Sequence, residues 1–123
     1  MQASIQLVDA TLNEWSINLT DVTTGFPFQN TFTYASNQLS ADWIVERPTV
    51  NRVLSTLANF GNVTFTNCQA SISSVSGGIS SFPANEIVIY SSTTVGESSV
   101  QLTDVSGLTF DGSGFTVSYL ATG

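Results

Sequence analysis

Apolar and polar residues alternate one by one along almost the whole chain, and the spacing of an amphipathic helix is almost absent. In a strand, successive side chains point to opposite faces, so a chain patterned this way buries its apolar face only by pairing strands into sheets. Ala3, Ile5 and Leu7 alternate with Gln2, Ser4 and Gln6 in an opening strand, and Leu12 to Asp21 forms a second with Trp15, Ile17 and Leu19 on one face. Thr24-Gly25 marks a turn, Phe26 to Tyr34 a third strand, and Ser36-Asn37-Gln38 a polar break. Ala41 to Glu46 is β-branched and aromatic, and Arg47-Pro48 ends it because proline cannot donate to a ladder. Val53 to Asn59 carries the one plausible helical turn, and Asn62 to Ser74 reads as a long strand around Cys68.

The rest of the chain continues in short pieces. Ser76-Gly77-Gly78 reads as a turn, Ile79 and Phe82 as a short edge, and Asn85 to Tyr90 as an apolar strand. Ser91 to Ser99 is a polar, mobile connection. Val100-Gln101-Leu102 and Leu108-Thr109-Phe110 are short strands, Asp111-Gly112-Ser113-Gly114 is a hairpin signal, and Phe115 to Tyr119 closes the chain. About eight to ten short strands at this spacing predict an all-β fold, an antiparallel β-sandwich of two sheets, with residues 1–123 as a single domain.

Charge narrows the function classes. Nine acids face two bases, Arg47 and Arg52, with no Lys and no His, for a net charge of −7. Such a chain repels nucleic acid and anionic membrane surfaces. Without His or Lys, most ordinary catalytic bases and metal ligands are missing, and no cofactor or metal is expected. Charged residues make up 9% of the chain, against about 25% in ordinary soluble domains. Hydroxyls and amides therefore supply solubility, and protonating the acids leaves little positive charge to repel itself. This balance suits an acidic, extracellular or cell-surface setting. No apolar run reaches the length of a membrane span, and no signal-peptide pattern is read at Met1. Cys68 is expected to be small and buried, and sequons stand at Asn18 and Asn62.

Three stretches in order resemble the glutamic peptidases, or eqolisins: Ala41-Asp42-Trp43-Ile44-Val45-Glu46-Arg47-Pro48, Leu57-Ala58-Asn59-Phe60-Gly61-Asn62-Val63-Thr64-Phe65, and Asp111-Gly112-Ser113-Gly114-Phe115-Thr116-Val117. The strand pair with Thr23-Thr24-Gly25 at its turn fits as well. The resemblance spans essentially the whole chain and corresponds to the later, carboxylate-bearing part of that family's domain. It implies a concanavalin-like sandwich, incomplete at one edge, and cleavage of proteins in acid. In the family a glutamate acts as general base on water, while a glutamine polarises the scissile carbonyl and stabilises the oxyanion. The resemblance places Asp42 where the family has the glutamate of its Glu-Trp-Ile-Val-Glu pattern. Asp is one methylene shorter, and a displacement of roughly an ångström can cost about 10²-fold in rate. Glu46 lies four residues on, on the same strand face, as a supporting acid or as the base itself. Gln2, Gln6, Gln29, Gln38, Gln69 and Gln101 stand in none of the family's catalytic context.

The candidate catalytic residues are therefore Asp42 and Glu46, with Trp43 and Trp15 expected in the core and Arg47 and Arg52 expected to compensate nearby acids. One function is an acid endopeptidase fragment acting on polypeptide, inactive as an isolated chain. The alternative is a non-catalytic structural or binding module that assembles by β-strand addition into a homo-oligomer or filament, as fibre and pilus subunits do.

Overall fold

A computed structural model describes residues 1–91 and 98–123, so most of the expected Ser91–Ser99 connection lies outside the described residues. Every ladder among them is antiparallel, and they contain no α-helix. The chain divides into two compact units, Met1–Gln38 and Leu39–Gly123.

In the first unit β1 (Gln2–Asp9), β2 (Glu14–Thr20) and β3 (Pro27–Thr33) form one sheet in that order. Ile5 stands opposite Ile17 and Leu7 opposite Trp15, while Phe32 and Phe28 of β3 oppose Trp15 and Leu19. The alternating apolar residues of all three strands therefore share one face, and Gln6, Ser16 and Thr31 share the other. Trp15 is half-buried rather than in a core, and its indole N–H donates to the Tyr34 carbonyl at 2.8 Å. Asp21 builds the β2–β3 turn: its carboxylate accepts from the Thr23 N–H and the Thr24 hydroxyl, each at 2.8 Å.

The second unit holds β4 (Thr49–Val50), β5 (Val53–Leu54), β6 (Asn62–Phe65), β7 (Gln69–Ile72), β8 (Val75–Gly78), β9 (Thr103–Val105) and β10 (Phe115–Tyr119). β10 lies between β6 and β9, so Val117 pairs with Val63 on one side and Val105 on the other. Leu57, Cys68, Ile79, Leu102 and Val117 are its buried apolar residues. Leu102 and Thr103 are sealed from solvent, and the Thr103 hydroxyl accepts from the Ile89 N–H at 2.9 Å. Cys68 is buried as expected, and that burial pushes its thiol above the ordinary value.

Several element boundaries differ from the sequence reading. The long strand around Cys68 breaks at Asn67, whose φ of 54° reverses the chain between β6 and β7. The turn expected at Ser76-Gly77-Gly78 falls instead on Ser73-Ser74, both at positive φ, and the glycines lie in β8. Gly77 leaves room for the Ser81 side chain, which a Cβ at this position would crowd. A 3-10 turn, Ile79–Ser81, replaces the short edge. Val53 opens β5 rather than a helical turn, because Asn51 and Arg52 take positive φ and close a tight β4–β5 hairpin. Among the described residues Asn85 to Tyr90 has no ladder beyond a single bridge from Tyr90 to Gln101, and Leu108-Thr109-Phe110 is not a strand.

The Asp111 turn ties these pieces together. Its carboxylate accepts from the Thr109 hydroxyl at 2.5 Å, the Ser113 hydroxyl at 2.8 Å and the Ser113 N–H at 3.1 Å. The Gly112 carbonyl accepts from the Ser80 N–H and the Ser113 carbonyl from the Cys68 N–H. Gly112 has φ 68°, and a Cβ on it would crowd the Ser80 side chain, so glycine is favoured there.

Hydrogen bonds to the ionised form hold the carboxyls of Asp21 and Asp111 below their ordinary value of 3.8. A depressed folded value means that the stabilisation is present above 3.8 and is lost as pH falls through the folded values. Asp21→Ala and Asp111→Ala are expected to melt below wild type at pH 6, well above 3.8, with the gap closing at lower pH as the wild-type carboxylates protonate. Thermal melts followed by circular dichroism across the acid range check this.

Candidate functional site

Ala41 to Glu46 has no ladder partner among the described residues, yet it keeps the exposure pattern of a strand. Asp42, Ile44 and Glu46 are exposed, while Trp43, Val45 and Arg47 are half-buried. β-branched Ile44 and Val45 favour extended backbone, and Pro48 stops it. The β4–β5 hairpin fixes the far end, with the Ser55 N–H and hydroxyl both donating to the Pro48 carbonyl, at 3.0 and 2.7 Å.

Arg47 makes the second anchor. Its guanidinium donates to two backbone carbonyls, Ser55 at 2.5 Å and Ser91 at 3.3 Å. These acceptors come from the neighbouring hairpin and from a chain segment far away in sequence, so Arg47 cross-links parts of the second unit. Arg52 sits in the β4–β5 turn, exposed.

A cleft of about 720 Å³ opens in this unit, and its wall includes Leu39 to Val45 and residues from Phe82 to Ile89. Buried Ile79, Thr103 and Val117 contribute to its wall, as do Phe115 and Leu108. Most of the wall is apolar, and its charged side chains are Asp42 and Glu86. Asp42 is therefore an exposed carboxylate at an apolar cleft, the setting in which a carboxylate can meet both a polypeptide and the water that attacks it. Glu46, the other residue singled out in the sequence, is exposed but does not line the cleft. Trp43 is half-buried and contributes to the cleft wall instead of the core.

No glutamine lines this cleft. Gln101 is engaged elsewhere, its side-chain amide donating to the Thr103 carbonyl at 2.7 Å, and Gln69 lies in β7 opposite Gly78. Among the described residues no group of three or more His, Cys, Asp or Glu is placed to hold a metal ion. The sequence reading passed over Glu86. Its one signal was a lone charge beside the apolar run Ile87-Val88-Ile89. A smaller recess of about 310 Å³ lies beside the Asp111 turn, lined by Thr66, Asn67 and Phe110 among others, and holds neither candidate carboxylate.

The model of the Peptidase A4 family matches residues 1–119. Among solved structures the chain is similar to aspergilloglutamic peptidase from Aspergillus niger, with a TM-score of 0.73 and 27% sequence identity. That likeness covers 97% of this chain and 65% of the other, so this chain spans less than two thirds of that peptidase's length. It shows the antiparallel β-sandwich class that the alternation predicts. No curated protein matches the chain.

Because the Arg47 guanidinium serves two part-buried carbonyls, Arg47→Ala is expected to cost about 1–2 kcal/mol in unfolding free energy. Arg52→Ala, at an exposed turn, is expected to stay within about 0.5 kcal/mol of wild type. Urea denaturation of the two variants measures the difference.

Proposed function

The chain belongs to the Peptidase A4 family, and from that premise we propose that it carries the carboxylate half of an acid endopeptidase site and, as an isolated chain, binds polypeptide without cutting it. The observation that carries the reading is the exposed Asp42 carboxylate on an apolar cleft with no glutamine in its wall. In the reaction Asp42 takes a proton from water as that water attacks the scissile carbonyl, and the negative charge that develops on the carbonyl oxygen needs an amide donor aimed at it. This chain's cleft offers the first group and not the second. Losing a single oxyanion donor costs about 10²–10³-fold in comparable sites. The shorter reach of Asp adds a further loss. Glu46 shares the exposed face of the segment but stands outside the cleft wall, which favours a supporting electrostatic role over that of the base.

In this reading the protein acts as one domain outside the cell, on polypeptide, with no nucleic-acid partner, no cofactor and no metal. Its acid surplus supports that setting, and among the described residues no helix is long and apolar enough to cross a membrane. Release of soluble peptides from a denatured protein substrate at acid pH tests the catalytic half of the claim. Wild type is expected to match Asp42→Asn, and cleavage that depends on Asp42 would contradict it.

A second reading, a structural or binding module that assembles by strand addition, is favoured by one observation. Leu39 to Glu46 has no ladder partner among the described residues, which leaves an edge where a donated strand could pair. Assembly of this kind gives homo-oligomers or filaments. Light scattering on the purified chain at neutral and acid pH discriminates the two: discrete multimers or filaments support strand addition, and a monomer under both conditions removes it.

A further inference from the structure

We propose that the cleft selects an extended polypeptide segment in which a basic side chain stands among apolar ones, with Glu86 as the specificity-determining carboxylate. The inference rests on the reading of the cleft as a polypeptide site and adds to it the chemistry of the segment that is preferred.

Among the described residues Asp42 and Glu86 are the charged side chains of the cleft wall, and they come from two segments far apart in sequence. Nothing basic lines the cleft to offset them: Arg47 is held by the carbonyls of Ser55 and Ser91, and Arg52 closes the β4–β5 turn. Apolar walls of low dielectric focus the field of two like charges into the space between them. That field attracts a cation and repels an acidic side chain.

The surrounding surface fits the stem of such a side chain. Ile44 and Ile87, 47% and 66% exposed, lie beside Asp42 and Glu86 and offer apolar area. A lysine lays its methylenes along a surface of this kind and extends its ammonium group to a carboxylate. Asp42 belongs to the segment that meets the scissile bond in the proposed reaction. Glu86, on a different segment of the same cleft wall, is the group free to act on selection alone.

Isothermal titration of the full chain with two blocked hexapeptides of Phe, Leu and Ala, one carrying a single Lys and the other norleucine at that position, tests the inference. The lysine peptide is expected to bind about fivefold more tightly at low salt, and the advantage is expected to shrink as salt screens it. Glu86→Gln is expected to bring the lysine peptide level with the norleucine peptide, and Glu86→Lys to favour a third peptide with Glu at that position. Equal binding of the first two peptides by wild type overturns the selection by charge while leaving the polypeptide cleft standing. A lysine preference that survives Glu86→Gln overturns the role of Glu86. Failure of both peptides to bind overturns the cleft reading and this inference with it.

Discussion

The second unit depends on β10 being paired on both edges. A strand with ladders on both sides has its backbone groups satisfied, so its side chains can be placed by packing alone. Val117 is at the centre of this arrangement, opposite Val63 and Val105 and buried. The same residue, with Phe115 two positions earlier, contributes to the cleft wall, and the Phe115 ring stacks on Phe65 at 4.9 Å. Core and cleft are thus two uses of one strand. The Asp111 turn sets where that strand begins, and its bonds to Ser80 and Cys68 carry the constraint into the 3-10 turn and the bend after β6. A substitution at Gly112 would therefore be felt at the cleft even though the glycine does not line it.

Against this fixed wall stands a segment of the opposite character. Leu39 to Val45 has no ladder among the described residues, and the chain just beyond it is anchored through Arg47 and the Pro48–Ser55 contacts. A backbone with unspent hydrogen-bonding groups beside an apolar cleft is suited to receive another extended chain. The proposed endopeptidase and assembly readings share this physical feature. They differ in what the arriving strand is: a substrate to be bound across Asp42, or a structural strand that stays.

Much of this was legible in the sequence because the information is local. The alternation of Ala3, Ile5 and Leu7 with Trp15, Ile17 and Leu19 gave one apolar face, and the observed register aligns those residues. Asp111-Gly112-Ser113-Gly114 read as a turn because its chemistry sits within four residues. What failed was information held elsewhere in the chain. Ser73-Ser74 turns at positive φ while the adjacent glycines serve in a strand, since Ser81 takes the space where a Cβ would be. Ala41 to Glu46 and Asn85 to Tyr90 have strand composition, but a ladder requires a partner strand, and composition alone does not supply one. In the candidate site, Asp42 was visible through its motif. Glu86 was not, because the meeting of the two segments around one cleft is a tertiary fact.

The most direct test of the account is to map where a polypeptide binds. An extended, uncharged peptide would be titrated into the isotopically labelled full chain while backbone amide shifts are followed by nuclear magnetic resonance. The account predicts shifts concentrated in Leu39 to Val45 and in Phe82 to Ile89, two segments that line the Asp42 cleft. Shifts centred on the Asp111 recess, or no shifts at saturating peptide, would contradict it.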